Sequence, residues 1–429
     1  MTNKKSINKP DNKSNMKSKE YKFRETHFNP FNKNRAIIRD YIDGVTQCYL
    51  INTAGELVYK FEPNIWANHI EDDNVIFASC DINDKKEGVA LFDINGNQLT
   101  DFKYRGIIHG VEEGFFEVED LNNKKGHLGI TGEEIIPCIY EDSCCFQEGV
   151  SAMKLNNKWG MVDYKNNIII PFIYEDMFCS FNNKIPAKLN GKWGIVDKFN
   201  NKLIDFKFDE IGFYINRDCL TFPAKLNDKW GIIDIYGQTV FDFVYDDCDS
   251  LDKAGWYKFK KNDKWAIYSC EKNEFISDFI YDDIDLYASG ICQVKLGKNY
   301  DYVDYFNQPI ADFKYEYMHH FYKTNLVAFC EKNKGENNKF GLMNTGGKII
   351  IPAKLDDSIK YADENMLVME DDTGSQYVMD IEGNIVIPKR KYQRFYGGYS
   401  CGYIVPRLNS GYLDKKGQRL ELKFELCQD

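Results

Sequence analysis

The sequence of 429 residues lacks the local motifs by which several classes of protein are recognised. It contains no GxSxG nucleophile elbow and no GxxxxGK[ST] phosphate loop, so the motifs indicate neither a serine hydrolase of that type nor a P-loop nucleotide site. No apolar run approaches the length of a membrane span, and the basic start has no apolar signal-peptide segment. We therefore expect a cytoplasmic protein without a membrane span.

Metal-ligand patterns are also missing. The chain has six histidines, and its thirteen cysteines form no repeated CxxC pattern. His319 and His320 would point to opposite faces of a strand, and Asp93 to Asn97 resembles a calcium loop without its late acidic ligand. We predict no metal, no cofactor and no catalytic residue, with reduced, structural cysteines. The sequence does not exclude an enzyme site assembled from carboxylates that are distant in sequence, because glycosidase-type sites have no local motif.

What the chain does contain is an internal repeat of about 35 residues. The run KLNNKWGMVD from residue 154 returns as KLNGKWGIVD from 188 and as KLNDKWGIID from 225. An anchor position four residues after the tryptophan recurs eleven times at intervals of 34 to 41 residues. These anchors define units one to eleven: Asn52, Asp93, Gly129, Asp163, Asp197, Asp234, Ser269, Asp304, Asn344, Asp380 and Asp414.

Each unit reads as β-strands separated by tight turns. Short stretches rich in aromatic and β-branched residues alternate with turn residues, which is a strand signal. Asn190-Gly191 predicts a two-residue hairpin, and a second turn follows the anchor. A proline or aspartate such as Pro171 or Asp205 then ends or kinks the third strand, or places it on an outer edge. We predict three strands and a possible short fourth per unit.

The repeated motif resembles the WG-type repeats of many bacterial proteins, which are named for a Trp-Gly pair. The motif residues are Trp159, Gly160, Asp163, Trp193, Gly194, Asp197, Trp230, Gly231, Asp234 and Trp265. The resemblance covers nearly the whole chain after residue 36 and is clearest from about 115 to 290. It implies an all-β repeat protein used for binding or scaffolding, and it transfers no catalytic residue. We expect the tryptophan to pack between units and the glycine to make room for it.

Two architectures fit about eleven antiparallel β-meander units. Radial packing gives blades like those of a β-propeller, and linear stacking gives an open β-superhelix or solenoid. The hairpin meander favours the propeller-like arrangement.

Charge divides the chain into two parts. Residues 1–35 hold ten Lys and Arg against three Asp and Glu, a net charge of +7, so residues 36–429 carry −18 of the total of −11. We predict a disordered basic arm over 1–35 and the repeat array over 36–429. Because an acidic array repels phosphate backbones, we expect no nucleic acid on the repeats.

Acidic pairs recur at one phase of the repeat and predict an acidic stripe along one rim. The candidate binding residues are Glu141, Asp142, Glu175, Asp176, Asp246, Asp247, Asp282 and Asp283. Such a stripe suits a basic peptide, although solvated turn ends also require polar residues.

The repeat organisation favours a non-enzymatic scaffold that binds a protein or peptide, since neighbouring units present similar surfaces. A glycan-binding module is the alternative, because exposed aromatic side chains beside turns can stack on sugar rings. The scaffold predicts buried tryptophans at the repeated position, whereas the glycan-binding module predicts a repeated exposed aromatic site.

Overall fold

The computed structural model describes residues 27–42, 45–70, 75–82, 86–212, 221–251, 256–288, 291–304, 306–321, 324–331, 338–390, 393–395, 397–406 and 411–423. Within these ranges the regular elements are β-strands, which account for 61% of the structure, and they contain no helix. Accordingly, the described part of the chain has no helix with the length and hydropathy needed to cross a membrane. The all-β fold predicted from the repeat is confirmed.

The strands of the first three units form a four-stranded and a seven-stranded sheet. The first sheet contains β1 (His27–Phe28), β2 (Arg35–Ile42), β3 (Val45–Asn52) and β4 (Leu57–Lys60). The second contains β5 (Trp66–Ile70), β6 (Val75–Ile82), β7 (Lys86–Asp93), β8 (Tyr104–Glu112), β9 (Phe115–Asp120), β10 (Lys125–Gly129) and β11 (Glu134–Tyr140).

The next four units form four-stranded sheets. They contain β12 (Asp142–Ser143), β13 (Val150–Leu155), β14 (Lys158–Asp163) and β15 (Ile168–Tyr174); β16 (Asp176–Met177), β17 (Ile185–Leu189), β18 (Lys192–Val196) and β19 (Lys202–Phe208). Then come β20 (Glu210–Ile211), β21 (Thr221–Leu226), β22 (Lys229–Asp234) and β23 (Thr239–Tyr245); β24 (Asp247–Ser250), β25 (Trp256–Lys261), β26 (Lys264–Ser269) and β27 (Glu274–Phe275).

The last four units vary more in strand number. Their sheets contain β28 (Asp283–Ala288), β29 (Ile291–Leu296) and β30 (Asn299–Val303); β31 (Tyr317–His320), β32 (Leu326–Glu331), β33 (Lys339–Asn344) and β34 (Ile349–Leu355). They continue with β35 (Ser358–Asp363), β36 (Met366–Glu370), β37 (Gln376–Asp380) and β38 (Ile385–Ile387); β39 (Tyr403–Ile404) and β40 (Leu413–Asp414).

Each typical unit is an antiparallel meander of four strands in sequence order. The short fourth strand comes first, as β12 does in unit four. The central hairpin of β13 and β14 turns at Asn156 and Asn157, whose φ angles of 52° and 60° lie in the left-handed region. Asparagine tolerates this conformation better than other side chains with a Cβ. The predicted hairpin and the turn after the anchor are therefore confirmed.

The strand after the anchor passes directly into the next sheet. Tyr174 pairs with Trp159 in its own sheet, while the Glu175 backbone N–H donates to the Lys188 carbonyl of the next. The register between β14 and β15 shifts on both sides of the pair formed by Met161 and Ile170, where β15 bulges. Because β15 pairs only with β14, it is an edge strand, so Pro171 removes no ladder donor. Two of the predicted alternatives are therefore observed: the third strand lies at the edge of the sheet, and it is kinked. It does not end at the proline, because β15 continues to Tyr174.

The core consists of eleven buried clusters in the described residues, each shared by two consecutive units. One of them joins unit eleven to unit one, with Phe31 packed 4.6 Å from the ring of Tyr412. The Tyr403 hydroxyl also donates to the Thr53 carbonyl at 3.1 Å. The succession of units therefore closes on itself, in contrast to the open superhelix that the sequence left as an alternative.

The predicted boundary of the arm is wrong. His27–Phe28 forms β1 and pairs with β2, and both Phe28 and Phe31 are buried in the cluster that joins the two ends. The reason is that these phenylalanines have partners almost 400 residues away, which a local reading of composition does not reveal. The rest of the predicted arm, residues 1–26, lies outside the described residues.

Candidate functional site

The turn after each anchor is built by the anchor side chain. In unit four, Oδ1 of Asp163 accepts the backbone N–H groups of Lys165 and Asn167, both at 2.9 Å. The Asn167 amide donates to Oδ2 at 2.9 Å. Desolvation raises the pKa of Asp163, but the hydrogen bonds from Asn167 and Lys165 outweigh it and leave the pKa below its usual value. The anchor is thus a charged cap that fixes the turn.

The same capping holds in the other units that carry the aspartate. Asp197, Asp234 and Asp304 each accept two backbone N–H groups, two and four residues further on, at 2.8 to 2.9 Å. Asn52 and Asn344 cap in the same way with an amide oxygen.

The turn is also fastened to the preceding unit. The Tyr140 hydroxyl donates to Oδ1 of Asn166 in the turn of unit four, at 2.6 Å. Tyr281 makes the equivalent bond to Asn307 at 2.7 Å. A turn held from within and from the neighbouring unit presents its outermost side chain in a defined position.

That outermost side chain is aromatic in four units. Tyr164, Phe199, Tyr236 and Phe306 lie one or two residues after the anchor and are 52%, 81%, 73% and 69% exposed. We call these four residues the turn-tip row. Single exposed apolar residues are ordinary on a protein surface, but here they recur in the turn after the anchor, at its first residue in unit four and at its second in units five, six and eight. In unit seven, Nζ of Lys272 lies 4.7 Å from the centre of the Phe306 ring.

Glu148 connects units four and five at the edge that carries the turn-tip row. The Glu148 carboxylate accepts the backbone N–H groups of Asn182 and Asn183 and the hydroxyl of Ser180, all in the following unit. Nζ of Lys198, beside Phe199, donates to the Glu148 carbonyl at 2.8 Å. Desolvation raises the pKa of Glu148, but these hydrogen bonds lower it overall. Units four and five are therefore held together at the base of their turns.

The motif tryptophans face the opposite way, into the protein. Trp159 and Trp193 are buried in clusters shared by consecutive units, and Trp230 and Trp265 are half-buried against such clusters. This is the packing position expected from the sequence.

The motif glycines lie close to the neighbouring strand of their own sheet. A Cβ on Gly160 would lie 2.6 Å from the Ile170 carbonyl oxygen and 2.9 Å from the Phe172 ring. Gly194 and Gly231 have the same surroundings. The bulged neighbouring strand therefore lies against these glycines. That the glycine also accommodates the adjacent tryptophan stays a prediction. Unit seven has Ala266 at this position, and its partner strand β27 has only two residues.

This combination of hairpin, tryptophan and glycine matches a known repeat. The family described as WG containing repeat matches residues 130–159, 159–193, 193–230, 230–265, 271–300, 302–334 and 340–370, which is more than half of the chain. The chain belongs to the WG-repeat family. No curated protein matches the sequence.

Solved structures resemble the WG-repeat array only distantly. A eukaryotic initiation factor has 12% identity and a TM-score of 0.42, over 70% of this chain and 92% of that one. Hsv2 of Kluyvelomyces marxianus has 12% identity and a TM-score of 0.26, over 47% and 68%. Apo AztD from Citrobacter koseri has 12% identity and a TM-score of 0.25, over 83% and 93%. We transfer no function from these structures.

The acidic pairs lie at the other end of the WG-repeat sheets from the turn-tip row. They contact the turn of the central hairpin: Glu141 accepts the Asn157 backbone N–H at 2.9 Å, and Glu175 that of Gly191 at 2.8 Å. Strand β14 begins beside this turn and ends at the anchor, so about 17 Å separates the two ends.

Several of these carboxylates also pair with a lysine of the preceding unit. Asp282 accepts Nζ of Lys264 at 2.5 Å and the Gly297 backbone N–H at 2.6 Å. The hydrogen bond from Lys264 is the main cause of the lowered pKa of Asp282. Asp246 is bound in the same way by Lys229 and Asn262, and Asp142 by Lys125. The second acids Asp176, Asp247 and Asp283 each accept the next backbone N–H at 2.9 Å.

The sequence prediction placed the candidate site on the acidic pairs and missed the turn-tip row. The signal was present in the segments DYKNN, DKFNN, DIYGQ and DYFNQ, each with an aromatic residue in a turn that otherwise contains polar residues.

For metal binding, the described ranges contain no group of three or more His, Cys, Asp or Glu residues able to hold an ion.

Proposed function

We propose that this WG-repeat protein is a non-enzymatic scaffold and that a protein or peptide partner docks on the turn-tip row. The observation that carries the proposal is the exposure of Tyr164, Phe199, Tyr236 and Phe306, each in the turn after the anchor of its unit. Aromatic residues are enriched in protein interfaces, and tyrosine is among the residues that most often dominate the binding energy. Here they stand on the same edge of units four, five, six and eight, where an extended partner could contact several at once.

Preorganisation supports the same proposal. The aspartate cap and the tyrosine of the preceding unit hold the turns before any partner arrives. A partner therefore loses little affinity to the ordering of these loops. Lys165 and Asn167 flank Tyr164 with hydrogen-bonding groups, which supplies a polar rim around an apolar contact.

The non-enzymatic part of the proposal rests on how the acidic side chains are used. The anchor aspartates cap turns, and the carboxylates of the acidic pairs bind lysines or backbone N–H groups. The acidic pairs stay a proposed secondary contact for basic residues of the partner. The thirteen cysteines are spread along the chain without paired motifs, which supports a location of the protein in a reducing compartment such as the cytoplasm.

Glycan binding is the second candidate, and the exposure of the turn-tip row favours it as well. Aromatic rings stack on the apolar faces of sugars, and the neighbouring asparagine and lysine side chains suit hydroxyl groups. A glycan array probed with the full-length protein separates the two candidates: saturable binding of a defined oligosaccharide supports this one, and an empty array removes it.

The test of the scaffold proposal is affinity purification of the tagged full-length protein from its own host, with mass spectrometry of bound proteins. The test variant is the triple substitution Phe199→Ser, Tyr236→Ser and Phe306→Ser. A matched control replaces exposed aliphatic residues of the edge strands, Ile168, Ile349 and Ile385, with serine. We expect a stoichiometric partner with the wild type and the control but not with the test variant. Equal recovery of the partner with all three would overturn the proposed surface.

A further inference from the structure

Two cysteines of consecutive units lie in contact. The Sγ atoms of Cys145 and Cys179 are 3.6 Å apart, and Sγ of Cys179 is 3.7 Å from the Cys145 carbonyl oxygen. Both residues are half-buried, and no disulfide joins them. They occupy the same position in units four and five, two residues after the short first strand.

The segments that carry the two thiols are fixed by hydrogen bonds. Beside Cys145, the Cys144 backbone N–H donates to the Ala152 carbonyl at 2.9 Å, and the Cys144 carbonyl accepts the Ser151 hydroxyl at 2.7 Å. Beside Cys179, the Phe178 backbone N–H donates to the Pro186 carbonyl at 3.0 Å. The sulfur atoms thus stay near each other because both backbones are held.

We propose that Cys145 and Cys179 form a site of reversible oxidation that links units four and five by a disulfide. A disulfide needs the sulfur atoms about 2.05 Å apart, so they must approach by about 1.6 Å from their contact distance. Rotation of the two Cys side chains about χ1 supplies a movement of this size. Both residues are partly exposed, as oxidation by a small molecule requires.

Hydrogen peroxide is an oxidant of the required class. One thiolate attacks a peroxide oxygen, the O–O bond breaks, and the sulfur becomes a sulfenic acid with release of hydroxide. The second thiol then attacks that sulfur, the S–O bond breaks and water leaves. In total two thiols and one peroxide give one disulfide and two waters, and the cysteines lose two electrons. A dithiol reductant reverses the reaction by thiol exchange.

The cross-link would act on the edge that carries the turn-tip row. Cys145 leads into the turn that ends at Gly149, where an added Cβ would be 3.3 Å from the Tyr164 ring. Cys179 leads into the turn of Asn183, whose side chain accepts the Lys198 backbone N–H at 3.1 Å. A covalent link between these segments limits the relative motion of the two units. The oxidation itself does not depend on the proposed function.

The test is treatment of the folded full-length protein with hydrogen peroxide, alkylation of the remaining thiols, and peptide mapping by mass spectrometry without reduction. We expect a cross-linked peptide pair two hydrogens lighter than the sum of its reduced parts, with Cys145 joined to Cys179. Reduction with dithiothreitol should release both peptides. Alkylation of both cysteines in the oxidised sample, to the extent seen without peroxide, would overturn the proposal.

Neighbouring Cys144 provides the matched control. The Cys144→Ser variant should form the cross-link as the wild type does, whereas Cys145→Ser and Cys179→Ser should each abolish it. The two latter variants are independent, so a folding defect in one leaves the other as a test. A cross-link that contains Cys144 in place of Cys145 would contradict the assignment.

Discussion

The Tyr174 hydroxyl donates a hydrogen bond of 2.6 Å to Oδ1 of Asn200 in the turn of the following unit. This bond connects the end of one edge strand to the turn that presents Phe199. Tyr174→Phe removes the donor and should lower the free energy of unfolding by about 1 kcal/mol. Amide hydrogen exchange should accelerate in residues 198–201. The matched control, Tyr236→Phe, removes an exposed hydroxyl and should change neither quantity; equal effects of the two variants would contradict this role.

The glycine of the WG motif is required by the neighbouring strand. In Gly160→Ala the new Cβ meets a backbone oxygen and an aromatic ring at under 3 Å, so β15 has to move. We expect the free energy of unfolding, measured by denaturant titration, to fall by about 1–3 kcal/mol, which is typical of overpacking. The reverse change at the equivalent position, Ala266→Gly, should cost about 1 kcal/mol or less. A Gly160→Ala variant as stable as the wild type would show that the strand is not held there.

The contact between the two ends of the array makes a long-range prediction. Phe31 is 2% exposed and packs 4.6 Å from the ring of Tyr412, so Phe31→Ala leaves a cavity at the junction. The free energy of unfolding should fall by about 3–5 kcal/mol. Hydrogen exchange should rise both in 27–52 and in 411–423. Phe146→Ala, in the cluster between units three and four, is the control and should affect neither segment; a Phe31→Ala effect confined to the first segment would contradict closure.

Some of these features followed from the sequence and others did not. The Asn156-Asn157 hairpin was predictable, because turn residues with positive φ leave a local signal. Trp159 was correctly placed between units, since its recurrence matches the strand period. The contact of Gly160 with the neighbouring strand was not predicted, because that contact is with the carbonyl of a bulge, which no motif encodes. Phe31 was assigned to a disordered arm because its partner Tyr412 is distant in sequence. The turn-tip row was missed because aromatic residues in a β-repeat usually indicate core.

One buried histidine predicts how stability depends on pH. His127 is 1% exposed, and its burial lowers its pKa to about 4. Three groups surround it. Glu117 lies directly opposite His127 on the neighbouring strand, and Nζ of Lys125 is 3.6 Å from the Glu117 carboxylate. The third is the ring of Phe146. Nε2 of the imidazole lies 3.0 Å from the Cys144 carbonyl oxygen, and Nδ1 has no hydrogen-bond partner among the described residues.

The sign of the effect follows from proton uptake. In the unfolded chain the histidine has a pKa near 6.5, so between pH 6.5 and about 4 the unfolded state binds the additional proton. Stability therefore falls as the pH falls through this window, by up to about 3 kcal/mol from this group. Compared with the wild type, His127→Gln should remove that part of the slope in urea midpoints measured between pH 7 and 4.5. An unchanged slope in His127→Gln would contradict the assignment.

The central claim is that the turn-tip row is the docking surface for a protein partner. Its most direct test is an equilibrium titration of the purified partner against the wild type and against the Phe199→Ser, Tyr236→Ser, Phe306→Ser variant, with the edge-strand triple variant as control. We predict binding at least tenfold weaker for the turn-tip variant, about 1.4 kcal/mol or more, and unchanged binding for the control. Equal affinities for the wild type and the turn-tip variant would contradict the account.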